Sequence, residues 1–285
     1  MTVTDPILVF GGGGQVGRAV VDELLAAGAR VRATGRDPGR LTLPAGVETV
    51  RADLTDPESL PAALAGVRKV FLYAVPQGVD AFVAAARSAG VEHVVLLSSD
   101  TVLDRIPARK PIAEMHRAVE QALDASGLAT TYLRPDNFAS NVLLWGWDRS
   151  IREEGVVRFP YAESHSDAIH ELDIAAVAAA ALTTPGHEGE RYLITGPESV
   201  TQRRQAELIA EATGRPVRVQ EQTPEEGRAT LAQIVPEWVI DATIGYWAST
   251  DGVPYEVTDV VERVTGRPAR TFAEWAHDHA AAFLP

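Results

Sequence analysis

Ile7-Leu8-Val9-Phe10-Gly11-Gly12-Gly13-Gly14-Gln15-Val16-Gly17 is the stretch that decides the fold. Its apolar start, its glycines and the helically spaced Val20, Val21, Leu24 and Leu25 that follow read as strand, tight turn and helix. Arg30 to Thr34 and Val47 to Arg51 restore strands. Thr55-Asp56-Pro57-Glu58 has the form of a helix start, with a hydroxyl cap, an early proline and a glutamate three residues on. Val67 to Ala74 and His93 to Ser98 are near-continuous apolar runs, as strands buried on both faces require, separated by the alanine-rich helix Val79 to Ala89. Pro111 to Ser126 carries Ile112, Met115, Val119 and Leu123 on one stripe, and a sixth strand, Thr130 to Leu133, is expected to stop at Arg134-Pro135. The expected architecture is a doubly wound parallel α/β sheet over 1–150 whose strands end there. A smaller α+β subdomain over 151–285, interleaved with the first, completes it.

Beyond Asn137 the regularity falls: Trp145-Gly146-Trp147 and Phe159-Pro160-Tyr161 read as irregular structure over a cleft or between lobes. Short helices are expected at Ile174 to Leu182 and Thr201 to Thr213, with a strand at Glu190 to Thr195. Thr213-Gly214-Arg215-Pro216 and Thr265-Gly266-Arg267-Pro268 are helix stops, the glycine supplying a left-handed cap and the proline blocking continuation. Thr223 to Glu226 and Thr271 to Glu274 have the capping-box pattern of helix starts, the second placing Phe272, Trp275 and Ala276 against the body.

Composition narrows function. The chain has no cysteine, so disulfides, thiolate nucleophiles and cysteine-ligated metals are excluded. Its net charge of −13 repels phosphate backbones, so nucleic acid is not an expected partner. No apolar run approaches the roughly 20 residues a membrane span needs. Without a basic segment, an apolar stretch and a cleavage site at its start, the expected location is cytoplasmic. All its basic residues but Lys69 and Lys110 are arginine, as in proteins of GC-rich bacterial genomes.

The glycine spacing then acquires chemical meaning. Between a strand and a helix, Gly11 allows the tight turn, Gly14 lets backbone approach a pyrophosphate, and Gly17 lets helix pack close to strand. The helix N-terminus at Gln15 and Val16 presents free N–H groups to phosphate. The chain is therefore expected to bind a dinucleotide on a Rossmann-type fold. Strand two ends Thr34-Gly35-Arg36, where Gly35 leaves room for a 2′-phosphate and Arg36 is placed to bind it, with Arg40 assisting; the alternative is a solvated arginine beside Asp37. NADPH is the expected cofactor, with NADH the second possibility. Asp53 either accepts from the adenine amino group or caps the next helix. Leu54, Ala74, Val75, Pro76 and Ser98 complete the candidate cofactor contacts at strand ends.

These residues resemble the NmrA-like atypical short-chain dehydrogenases almost end to end. The marks are the glycine turn, Gly35-Arg36-Asp37-Pro38, Ala52-Asp53-Leu54-Thr55, His93-Val94-Val95-Leu96-Leu97-Ser98-Ser99, His116 to Glu120, and Ser126-Gly127-Leu128. Leu133-Arg134-Pro135-Asp136-Asn137-Phe138, Asn141 and Tyr192-Leu193-Ile194-Thr195-Gly196-Pro197-Glu198 continue the pattern. The family includes NADPH-dependent quinone reductases, dye reductases and non-catalytic redox sensors. The resemblance implies that Asn137 and Phe138 floor the nicotinamide.

One departure from ordinary short-chain dehydrogenases bears on chemistry. Those enzymes protonate a carbonyl oxygen with a tyrosine assisted by a lysine four residues later, but no Tyr-x-x-x-Lys occurs in this chain. Counting back from Glu120, the tyrosine place falls to Ile112 and the lysine place to His116. An already electrophilic acceptor, such as a quinone, needs less acid assistance. His116 is either the substitute acid or a ribose contact, or a core-edge histidine paired with Glu120 one turn later. Ser99 either hydrogen-bonds a substrate oxygen or caps the following segment. Asn141, Trp145, Tyr161 and Trp247 are candidate walls for a flat substrate, the aromatics alternatively belonging to a core. Glu163, His165, Asp167, His170 and Glu171 fit no metal-ligand spacing, and Ser164 to Asp167 lacks a nucleophile elbow. The function expected is an NADPH-dependent oxidoreductase passing hydride to a quinone-like or other conjugated carbonyl acceptor, as monomer or homodimer. A non-catalytic NADP(H) sensor and a biosynthetic tailoring reductase or cyclase are the alternatives.

Overall fold

The computed structural model describes residues 5–285. Its first strand, β1 (Ile7–Val9), is wholly buried and runs into α1 (Gln15–Ala26), which turns Val16, Val20, Val21 and Leu24 onto the sheet. β2 (Val31–Gly35), β3 (Glu48–Arg51), α2 (Leu60–Leu64), β4 (Lys69–Tyr73), α3 (Val79–Ala89), β5 (His93–Leu97), α4 (Lys110–Ser126) and β6 (Ala129–Pro135) follow, strand alternating with helix after β3. All pairings in the seven-stranded sheet are parallel, in the order β3-β2-β1-β4-β5-β6 and then β9 (Arg191–Ile194). The connection reverses direction between β1 and β4. That switch point is where doubly wound folds open a crevice at the carboxyl ends of the strands.

The second half returns to this sheet. After α5 (Asn141–Leu144), α6 (Trp147–Glu154), β7 (Val156–Phe159) and β8 (His165–Ser166), α7 (Glu171–Thr183) lies against α1, almost all its residues buried. A helix apolar all round needs cover on every side. The sheet, α1 and α11 (Val260–Thr265) supply it. β10 (Val200–Thr201) pairs with β8, β11 (Arg218–Glu221) pairs with β7, and α8 (Gln202–Thr213), α9 (Pro224–Leu231), α10 (Glu237–Ser249) and α12 (Phe272–Asp278) enclose a separate aromatic core. A third cluster fills the sheet face under α2, α3 and α4.

Three local expectations are corrected. The sheet does not end at Leu133: β6 runs on to Pro135 because β9 pairs with its final residues, Arg134 with Leu193 and Pro135 with Ile194. A proline is tolerated at such a strand end. Thr55 caps no helix; its hydroxyl and N–H both donate to Asp53, and Asp56 precedes the first turn, Pro57–Ser59. Met115 is exposed, while Ala113, Val119 and Leu123 form the buried stripe of α4. Both expected capping boxes form, at Thr223/Glu226 and Thr271/Glu274, and Gly214 and Gly266 adopt the left-handed caps.

Candidate functional site

The glycine turn is held by contacts that side chains would prevent. Gly11 has φ +70°, and a Cβ on Gly17 would lie 2.1 Å from the Gly11 carbonyl oxygen. Helix α1 therefore sits against its own strand turn. Gly14 is the N-cap with no side-chain hydrogen bond, and the helix's own first turn has no acidic residue, so none of its own side chains caps the positive helix end. Val16 is buried, leaving its backbone to face a ligand, while the Gln15 amide donates to Glu171 Oε1 at 3.0 Å. This end fits a pyrophosphate.

Arg36 stands exposed at the end of β2 and forms no hydrogen bond or ion pair among the described residues. Asp37, which competes for it in the alternative reading, instead accepts from Gly39 N at 3.1 Å and lies 3.9 Å from Arg40. The room beside Gly35 is bordered by Leu41, whose Cδ2 would be 3.0 Å from a Cβ there. Asp53 accepts from Thr55 N–H and hydroxyl, which, with the charges of Arg36 and Arg51, hold its carboxyl below the ordinary range. Leu54 is buried, its carbonyl pressed against Gly78.

The crevice continues as a cleft of about 360 Å³ at the ends of β4, β5 and β6. Ala74, Ser98, Ser99, His116, Phe138 and Asn141 line it. Val75 and Pro76 follow β4, half-buried, as the start of a short turn beside it. Ser98 donates to Glu120 Oε1 at 2.6 Å, and Arg134 donates to the same carboxylate from Nε at 3.0 Å. This network ties α4 to β5 and β6. It also removes Glu120 from His116, so the expected His116–Glu120 pair does not form. His116 keeps a buried Nδ1 without a partner, and burial pushes its imidazole down to about 4. In this state the imidazole is held neutral near pH 7, so its N–H, not a charged imidazolium, is what it offers to a ligand. Ser99 takes the capping role, accepting from Thr101 N at 3.2 Å and Thr101 Oγ1 at 3.0 Å while still bordering the cleft.

Asn137 accepts from Asn141 Nδ2 at 3.2 Å but leaves its own Nδ2 buried without an acceptor. A polar group of a bound cofactor would satisfy this amide, which lies next to the cleft residue Phe138, so the residues present fit a dinucleotide. The three aromatics do not join the cleft. Trp247 is buried edge-on to Trp145, with ring centroids 5.0 Å apart, and Tyr161 packs on the same aromatic core. Sequence reasoning missed Tyr73, Arg109 and the buried carboxylates of Asp100 and Asp136.

Such a glycine turn at such a switch point defines an NAD(P)H-binding protein of the doubly wound class. Residues 11–185 match the family described as NAD(P)H-binding, and the chain belongs to that family, in its NmrA-like, atypical short-chain dehydrogenase branch. It is 39% identical to a (4-alkanoyl-5-oxo-2,5-dihydrofuran-3-yl)methyl phosphate reductase of Streptomyces griseus, over 98% of this chain and 99% of the relative. It is 39% identical to an NAD(P)H azoreductase of Xenophilus azovorans, over 97% of this chain and 99% of the relative. Its fold matches an NADPH-dependent quinone oxidoreductase of Escherichia coli with a TM-score of 0.80 at 27% identity, covering 95% of this chain and 98% of that one. No helix among the described residues is long and apolar enough to cross a membrane.

Proposed function

We propose that the protein is an NADPH-dependent reductase that passes hydride to a small, planar, conjugated carbonyl acceptor such as a quinone or enone. The observation that carries this reading is the unpartnered Arg36 at the end of β2, beyond an uncapped α1 N-terminus. In this reading the turn at Gly11, Gly14 and Gly17 and the N–H groups of Gln15 and Val16 hold the pyrophosphate. Arg36 takes the 2′-phosphate, Asp53 the adenine side, and Asn137 and Phe138 the nicotinamide side. Bound NADPH supplies the hydride, while Ser99, Asn141 and His116 border the acceptor. Residues 1–150 carry the cofactor and 151–285 the capping part, with α7 and β9 interleaved. The activities of the relatives support this reading, since each acts on a conjugated acceptor class.

The test is NADPH oxidation by purified protein across quinones, enones and azo dyes. Turnover with at least one class is expected, and none with any would overturn the reading. Arg36→Ala is expected to raise the KM for NADPH about 10- to 100-fold and to leave that for NADH nearly unchanged, as loss of a charged hydrogen-bonded pair predicts.

A further inference from the structure

Asp136 directly follows β6 and Asp100 stands three residues beyond the adjacent parallel strand β5; Asp136 borders the cleft, and Asp100 lies beside it in a small cavity that also holds Arg109. The side chains of Asp100 and Asp136 are 4% and 0% exposed. Asp136 lines the cleft and pairs with Arg109, which stands 3.7 Å from Asp100 and 5.1 Å above the Tyr246 ring. Asp100 Oδ1 and Asp136 Oδ2 are buried and have no hydrogen-bond partner. Asp167 is fully buried too, within electrostatic reach of both. One guanidinium in contact with these groups cannot neutralise three carboxylates shielded from water. Asp100 and Asp136 are within hydrogen-bond reach of each other, so a single proton held between them relieves part of this excess charge.

We infer that Asp100 and Asp136 share a proton and release it, from the Asp136 side, to the acceptor in the cleft, so that this pair replaces the missing tyrosine. The inference rests on the reductase reading above. Hydride from reduced nicotinamide forms a C–H or O–H bond on the conjugated acceptor and leaves an enolate or phenolate oxygen. The shared proton moves from the carboxyl oxygen to that oxyanion or to the adjacent carbon. Arg109 stabilises the dicarboxylate left behind, and solvent returns the proton.

The surroundings agree. Burial first, then the charge of Asp136, push Asp100 up to about 8 against Arg109 and Arg105. Burial, then Asp136 and Asp100, raise Asp167 as well. Tyr246 and Tyr255 face the same carboxylates and are held well above the ordinary phenol range, burial leading. They are weaker acids than the carboxyl pair. Burial and the charge of Arg109 push the His116 imidazole down, against Glu120.

Infrared titration of the wild-type, cofactor-free protein reads the proton directly. A protonated-carboxyl carbonyl band is expected at pH 7, part of it lost with a midpoint near 8 and absent in Asp100→Asn and Asp136→Asn. Asp136→Asn is expected to lower kcat about 10²- to 10⁴-fold with little change in KM, the scale of a lost general acid. Wild-type kcat should fall with the same midpoint. No titrating band in the wild type, or a band with kcat unchanged in both variants, overturns the inference. If neither variant folds, the wild-type band and the kcat profile still decide it by sharing a midpoint or not. Absence of turnover with every acceptor defeats the reductase reading and leaves the band standing.

Discussion

At Gly17 the distance between fold and function is one methyl group. Its missing Cβ would stand 2.1 Å from the Gly11 carbonyl oxygen, so Gly17→Ala must push α1 off the turn or distort the turn itself. Destabilisation of about 1–3 kcal/mol in chemical denaturation is expected, together with loss of NADPH binding by fluorescence titration. That constraint is readable in the sequence because strand, turn and helix are contiguous. His116 and Glu120 show the opposite case. Their spacing suggests a helical pair, yet Arg134, from a neighbouring strand, presents two nitrogens to Glu120 and Ser98 a hydroxyl. A bidentate charged contact outcompetes an imidazole that burial keeps neutral. Asp100 and Asp136 carry no local signature, since only the pairing of β5 with β6 makes them neighbours.

Among elements, α7 joins the cofactor turn to the C-terminal helix through one residue. Glu171, at its first turn, accepts from Gln15 Nε2 at 3.0 Å, Trp275 Nε1 at 3.1 Å and His279 Nε2 at 2.9 Å. Burial acts to raise its pKa, but His170 and His279 outweigh burial and hold the carboxyl well below its ordinary 4.5. His279 is raised above 6.5, chiefly by its hydrogen bond to Glu171. The depressed carboxyl contributes stability present above 4.5 and lost as pH falls through its folded value. The raised imidazole contributes stability fully present below 6.5 and lost as pH rises through its own. The junction is therefore strongest between about 4.5 and 6.5. His279→Gln is expected to cost about 1–2 kcal/mol near pH 5.5 and markedly less at pH 9, measured as Tm against pH beside the wild type. Nothing in the sequence announces this junction, because its partners lie more than a hundred residues apart. The helix ends at Gly214 and Gly266 and the capping boxes were readable, each being complete within four residues. The two-residue strands β8 and β10 were not, being too short to show alternation.

Over the whole molecule, the sheet and the aromatic core divide the labour. The order of the first six strands follows from the alternation of buried strands and helices, so the crevice beyond β1 and β4 was foreseeable. The strand expected at Glu190 to Thr195 forms as β9, but its place in the main sheet was not foreseeable: it lies more than fifty residues beyond β6, and its four residues look alike whether they pair there or elsewhere. The same limit left Trp145, Tyr161 and Trp247 open between pocket wall and core, since an aromatic side chain reads alike in both, and the structure packs them in the aromatic core. Trp247 packs among Trp145, Tyr246 and their neighbours, apart from the residues that form the glycine turn. The separation makes a prediction about linkage. Trp247→Ala is expected to lower stability by about 3–5 kcal/mol. It should nevertheless keep the stabilisation NADPH confers, about 2.7 kcal/mol at one hundred times Kd, because ligand linkage depends on affinity for the native state. Gly17→Ala is expected to lose that increment even where its own fold survives. Denaturation curves of the three proteins with and without NADPH separate the cases, and an increment lost in Trp247→Ala would mean that the aromatic core shapes the cofactor site after all.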